Sequence, residues 1–115
     1  MGGFFLSHGG TAELDVARVE PDLGVGRLRS FVCLADELHF GRAAQRLYIS
    51  QPALSQQIAR LERDLGVQLF MRTGRAVRLT PAGLEFLAGA HRALDALRDA
   101  VAAAREHGCI VMADS

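Results

Sequence analysis

Between Thr80-Pro81 and Gly108 nothing in this sequence stops a helix. Threonine is a good N-cap, and proline is favoured in a first turn, where its missing amide costs nothing. Roughly 27 residues at 1.5 Å each make a rod on the order of 40 Å. A chain of 115 residues has room for one ordinary domain, whose core is too small to cover such a rod. Leu87, Leu94 and Val101 recur every seven residues, and Ala90, Leu97 and Ala104 follow each by three, an a/d seam with small residues on one side. The rod therefore wants a partner. Leu87, Leu94, Leu97 and Val101 are predicted to form a dimer seam, while Leu84 and Phe86 in the first turns are expected to pack on the chain's own domain. Gly83 and Gly89 are expected to weaken the helix locally and to mark bends.

Upstream, Ser50-Gln51-Pro52-Ala53-Leu54-Ser55-Gln56-Gln57-Ile58 reads as the start of a helix made for insertion. Ser50 is placed to cap it, and Pro52 needs no amide partner in the first turn. Leu54, Ile58, Leu61 and Leu65 form an apolar stripe, Pro52, Gln56, Ala59 and Arg63 point the other way, and Gly66 ends the helix. The outer face offers amides, a hydroxyl and small groups, then arginines, the order that reading base edges and gripping phosphate requires. Taken alone, an ordinary amphipathic surface helix would read the same way, so the neighbours decide. Leu28, Phe31, Ala35 and Leu38 share one helical face from Arg27, with Val32 and Leu34 flanking it, a first core helix that ends near Leu38. After the break at His39-Phe40-Gly41, a short second helix runs about Gly41 to Leu47. Ala43 and Ala44 let a neighbour approach closely, and Tyr48-Ile49-Ser50 is a tight turn, which completes a helix-turn-helix.

Past Gly66, Val67 to Arg72 is short and apolar, Thr73-Gly74-Arg75 is a turn, and Ala76-Val77-Arg78-Leu79 alternates in and out. This predicts a β-hairpin, a wing in the context of a preceding helix-turn-helix. An irregular loop would not account for apolar Phe70, Val77 and Leu79, nor for three arginines around the turn. The formal charge of zero hides an uneven spread: residues 27–79 hold nine Arg against four acids, residues 1–26 carry a net of minus three and residues 80–115 a net of minus two. Every basic residue is Arg, which suits planar contacts to phosphate and guanine and is equally what a GC-rich coding bias would give. Half the residues are apolar and there is no Trp, so the core is aliphatic and the fold mainly α.

Other classes find little support. Cys33 and Cys109 have no metal-like or CxxC spacing, and Cys33 sits in an apolar helical pattern, as a reduced, buried thiol of a cytoplasmic protein would. Met1 to Leu6 has no basic n-region and only a brief apolar run, so it is neither signal peptide nor membrane span. His8, His39, His91 and His107 lack metal-ligand spacing, no acid pair forms a recognisable constellation, and no Gly-rich phosphate loop follows a strand. An enzyme is the poorest reading, and no cofactor or metal is expected. His39 is most simply a helix-entry residue. The expected organisation is a poorly ordered extension over 1–24, a DNA-binding domain over 25–79, a linker helix over 80–107 and a tail over 108–115.

With these pieces in order, the sequence resembles the N-terminal DNA-binding domain of the LysR-type transcriptional regulators. The matching runs are Leu28-Arg29-Ser30-Phe31, Phe40 to Leu47, Ser50 to Ile58, Leu61 to Phe70, Arg72-Thr73-Gly74-Arg75 and Leu79-Thr80-Pro81-Ala82-Gly83. The resemblance covers about residues 27 to 107. It implies a winged helix-turn-helix with a two-stranded β wing and a long C-terminal linker helix, the third helix entering the major groove of double-stranded DNA and the wing following the backbone or minor groove. It further implies dimers joined by antiparallel linker helices, bound to interrupted inverted repeats in promoters. Gln51, Pro52, Ala53, Ser55 and Gln56 correspond to the family's groove-facing residues, and Arg72 and Arg75 to its wing contacts. Arg42, Arg46, Ser50 and Arg78 are added as backbone contacts from their charge, hydroxyl and place. Family members normally begin within a few residues of the first core helix, whereas some two dozen precede it here. The family's effector-binding domain should start about where this chain stops, so no small-molecule effector site is expected within it. A competing function is a dimerisation module that pairs its long helix with a full-length relative instead of binding DNA.

Overall fold

In a computed structural model of the chain, the described residues are 23–108 and 111. The extension expected over 1–24, save its last two residues, lies outside them, as do Cys109 and, apart from Gly108 and Val111, the tail. The elements run α1 (Gly24–Glu37), α2 (Phe40–Leu47), α3 (Gln51–Leu65), β1 (Phe70–Thr73), β2 (Ala76–Leu79) and α4 (Pro81–His107). The chain is therefore mainly α with a small two-stranded wing and a long terminal helix.

Helix α1 is the hub, packing on α2, α3 and α4. It begins three residues ahead of the expected Arg27 and buries Phe31, Cys33, Leu34 and Ala35. Leu38 does not join that face. It is the C-cap, left-handed at φ 51°, with its N–H donating to the Leu34 carbonyl at 2.7 Å and its side chain exposed. His39 then enters α2 as a cap, its Nδ1 accepting the Arg42 N–H at 3.0 Å. Ala43 and Ala44 are buried, and α1 comes close enough for the Cys33 thiol to donate to the Ala43 carbonyl at 3.7 Å. Tyr48 turns the chain in a left-handed conformation at φ 58°. Ser50 caps α3 by accepting the Ala53 N–H at 3.1 Å, Leu54, Ile58 and Leu61 bury the expected stripe, and left-handed Gly66 closes the helix with its N–H on the Glu62 carbonyl.

The wing is antiparallel, with Phe70 opposite Leu79 and Thr73 opposite Ala76. Gly74 at φ 60° and Arg75 form the two-residue loop between them, with Gly first as a hairpin turn of type II′ prefers. Helix α4 starts in contact with the base of this hairpin. Thr80 Oγ1 accepts the Gly83 N–H at 2.9 Å and donates to the Gln68 carbonyl at 2.6 Å, and the Thr80 N–H reaches the Leu69 carbonyl at 2.9 Å. A Cβ on Gly83 would lie 2.1 Å from that same Leu69 oxygen. Gly83 is therefore the residue that lets backbone meet backbone, and α4 continues without interruption through both it and Gly89.

One expectation about α4 is corrected. Phe86 packs as foreseen, edge-on to Phe31 at 5.0 Å, but Leu84 is 58% exposed because the close approach at Gly83 turns the neighbouring position outward. Leu87, assigned to the dimer seam, is partly buried against the domain's own core, and Ala90 is buried there. From Asp95 onward every described residue of α4 is exposed.

The two glycines should respond oppositely to alanine. Gly83→Ala forces a methyl into a backbone carbonyl, and overpacking of this kind costs about 1–3 kcal/mol or more. At Gly89 the nearest atom to an added Cβ is Arg92 Nη2 at 3.8 Å, so Gly89→Ala should gain roughly 0.5–1 kcal/mol from helix propensity. Thermal unfolding at one fixed chain concentration should lower the midpoint for the first and raise it for the second. A Gly83→Ala midpoint equal to that of the unmodified chain would refute the close contact.

Candidate nucleic-acid interface

The exposed end of α3 follows from its own stripe: with Leu54, Ile58 and Leu61 inward, Gln51, Pro52 and Gln56 are exposed while Ala53 and Ser55 are half-buried. The Gln51 side-chain oxygen lies beside Gly41, 3.5 Å from where a Cβ there would sit, so a small residue in α2 leaves room for it. Ser50 is exposed, but its oxygen already accepts the helix amide. Only its hydroxyl proton remains to reach a phosphate.

The wing is tied to α3 by a carboxylate. Glu62 Oε2 accepts the N–H groups of Leu69 and Phe70 at 2.8 and 3.1 Å, satisfying two amides where the strand begins. On the hairpin Arg72, Arg75 and Arg78 are all exposed. The Arg72 guanidinium carbon sits 4.4 Å from the centre of the Phe40 ring, a contact between β1 and the start of α2. Among the described residues Arg60, Arg63, Arg72, Arg75 and Arg78 have no carboxylate partner.

Arg42 and Arg46, expected as backbone contacts, are exposed and ion-paired. Arg46 Nη1 lies 2.8 Å from Asp36 Oδ2 and 2.9 Å from Glu37 Oε2, and Arg42 Nε lies 3.2 Å from Glu37 Oε1. These contacts fasten the end of α1 to α2, and the carboxylates offset the charge that phosphate contact would draw on. The Arg46 hydrogen bond is the main cause that lowers the Glu37 pKa, and Asp36 and Glu37 together raise that of Arg46. Burial pushes the nearby Cys33 thiol up, which keeps it protonated and unreactive.

Next to Arg46 and Cys33, α4 and α1–α2 bound an open groove of about 640 Å³. Leu94, Leu97 and Val101 form one wall and Val32, Cys33 and Leu47 the other, with Arg29, Arg46, Arg98 and Arg105 around it. Three of the four expected seam residues therefore share one apolar surface, and Leu97 and Val101 are each 41% exposed. No group of three or more His, Cys, Asp or Glu that could hold a metal ion occurs among the described residues, and none of their helices is long and apolar enough to cross a membrane. The sequence reading missed Phe40 and Glu62. A glutamate one residue past a buried leucine and an aromatic at a helix start carry no local signal for contacts made across the fold.

Residues 25–84 match the family model described as bacterial regulatory helix-turn-helix protein, lysR family. The chain is 57% identical over 77 residues to the uncharacterized HTH-type transcriptional regulator YnfL of Escherichia coli (strain K12), covering 67% of this chain and 26% of that protein. It is 54% identical over 68 residues to the HTH-type transcriptional regulator ClcR of Pseudomonas putida, covering 59% and 23%. The chain thus spans about a quarter of the length of these relatives. A crystal structure of the BenM DBD in complex with benA site 1 DNA superposes with a TM-score of 0.72 at 38% identity, covering 74% of this chain and 99% of that one.

The Glu37 contacts give a pH dependence of definite sign. A carboxylate whose folded pKa lies below its ordinary 4.5 contributes stability that is in force above that value and is lost as the pH falls through the folded one. Glu37→Gln removes the contribution. Urea midpoints of the unmodified chain and the variant should differ by a constant amount near neutrality and converge as the pH drops below 4.5. A gap that is unchanged in acid would mean Glu37 does not titrate against Arg46.

Proposed function

We propose, since this chain belongs to the lysR family of bacterial regulatory helix-turn-helix proteins, that it binds double-stranded DNA sequence-specifically as a dimer in the cytoplasm and regulates transcription. The observation that carries the reading is the match of this winged fold to a domain whose structure is a DNA complex, combined with a face of matching chemistry. Gln51 and Gln56 present amides able to pair in two-pronged fashion with adenine in the major groove, with Ser55, Ala53 and Pro52 beside them for a hydroxyl contact and apolar contacts. Arg75 and Arg78 on the wing, without carboxylate partners, supply the cation density that displaces counterions from phosphate. Arg42 and Arg46 hold α1 against α2 and take a lesser part. The task is binding rather than catalysis.

The dimer forms through the far half of α4. Leu94, Leu97 and Val101 pack against a second copy's helix, and the two-fold axis presents two recognition helices to two half-sites, so the target is an inverted repeat. The same exposed seam favours a second reading, pairing with a longer relative without DNA contact; a chain that associates but ignores DNA would select it.

Gln56→Ala should cost about 1–3 kcal/mol on the preferred duplex and much less on random sequence. Arg75→Ala should weaken both alike and lower the salt slope by about one unit. Titrations of the two variants at several salt concentrations check both, and the reverse pattern would sink the assignment. For the dimer, Leu97→Glu is the informative change, because this side chain is exposed in the single chain and an acid there spares the fold. Sedimentation should show the unmodified chain as a dimer at micromolar concentration and the variant as a folded monomer. Two identical profiles would place the interface elsewhere.

A further inference from the structure

Besides the Glu62 bonds and the Phe31–Phe70 ring contact at its base, the wing meets the start of α2 through the Arg72 guanidinium, which lies over the ring of Phe40, 4.4 Å from its centre. Phe40 is the first residue of α2 and is packed against the core, so its ring is a fixed platform. Arg72 is exposed on β1 and has no carboxylate partner among the described residues. Arg46 differs, since two carboxylates hold its side chain and in doing so offset its charge. An aromatic face attracts a cation through its quadrupole, carries no net charge, and accepts no conventional N–H···O bond from the guanidinium's donors. It restrains a long side chain while leaving both the charge and the donors available.

We propose that Phe40 is a positioning residue for DNA binding: it holds Arg72 in one arrangement beside the recognition helix, so that Arg72 meets a phosphate already ordered. The inference rests on the DNA-binding reading and adds to it a residue that makes no DNA contact of its own. An ordered arginine avoids the loss of side-chain freedom that binding would otherwise impose, an effect of roughly two- to tenfold in affinity for one immobilised side chain. The number of phosphates neutralised stays the same when Phe40 is changed, so the salt slope distinguishes this role from that of Arg72 itself.

The test uses random-sequence duplex DNA, because a phosphate contact does not depend on the target. Binding is titrated over a range of salt for the unmodified chain, Phe40→Leu, Phe40→Tyr, Arg72→Ala and the Phe40→Leu/Arg72→Ala pair, with thermal unfolding of each to establish that it is folded. Phe40→Leu should weaken binding by roughly two- to tenfold with an unchanged slope, and Phe40→Tyr, which keeps the ring face, should bind as the unmodified chain does. Arg72→Ala should lower the slope by about one unit, and adding Phe40→Leu to it should change nothing further. In the free protein the Arg72 side-chain proton resonances should be shifted by the ring current and return to ordinary positions in Phe40→Leu. Equal effects of Phe40→Leu with and without Arg72, or an unshifted Arg72, would overturn the positioning role while leaving DNA binding intact. Failure of the unmodified chain to bind duplex would overturn the DNA reading and this role with it.

Discussion

Phe31 has no exposed surface, and its ring meets Phe70 at 5.4 Å and Phe86 at 5.0 Å. One side chain of α1 thus ties the first strand of the wing and the first turns of α4 to a common core. Offset and edge-on aromatic pairs prefer particular angles and add to the burial of the rings themselves, so the contact orients as well as holds. Around it the backbone closes further: Glu62 takes two strand amides, Thr80 bridges Gln68 and Gly83, and Gly83 lies against the Leu69 carbonyl. The wing, four residues to a strand, is too short to hold its own angle. A two-stranded ribbon is marginal in water, and this one is set by the helices at its base.

The same architecture sorts the arginines. On the α1–α2 side Arg46 and Arg42 face Asp36 and Glu37, and Arg27 pairs with Asp64 at 2.7 Å. Exposed ion pairs of this sort add little stability each; here they join neighbouring helices and offset positive charge away from the wing. Among the described residues the hairpin arginines Arg72, Arg75 and Arg78 have no such partners, so the wing keeps its positive charge in a chain whose formal charge is zero. A charge total says little about binding when acids and bases are segregated this way.

Helix α4 divides into two parts with different partners. Through Phe86, Leu87 and Ala90 it completes the core, while beyond Asp95 it is uncovered, and Leu94, Leu97 and Val101 form one wall of an apolar groove with Val32, Cys33 and Leu47 as the other. A heptad pattern marks both parts alike, because the spacing of apolar residues reports that a face is covered and not by what. Leu87 carries the same spacing as Leu94 and Leu97, and it is partly buried against the chain's own core.

Most of the secondary structure was legible from residues within a few positions of one another. Ser50 and Thr80 as caps, Gly66 as a terminator, the Leu54–Ile58–Leu61 stripe and the Gly74 turn are local choices, since a cap bond spans three residues and a helical face repeats within four. The helix-turn-helix order and the exposed amides of α3 followed from those alone. What only the tertiary structure decided are the contacts between residues far apart in sequence. Arg72 on Phe40, Glu62 on the strand amides, Arg46 between two carboxylates and the outward turn of Leu84 depend on how helices cross, and crossing is settled by close approach at Ala43, Ala44 and Gly83. Small side chains announce that something can come near; which group does so is fixed only when the whole core closes.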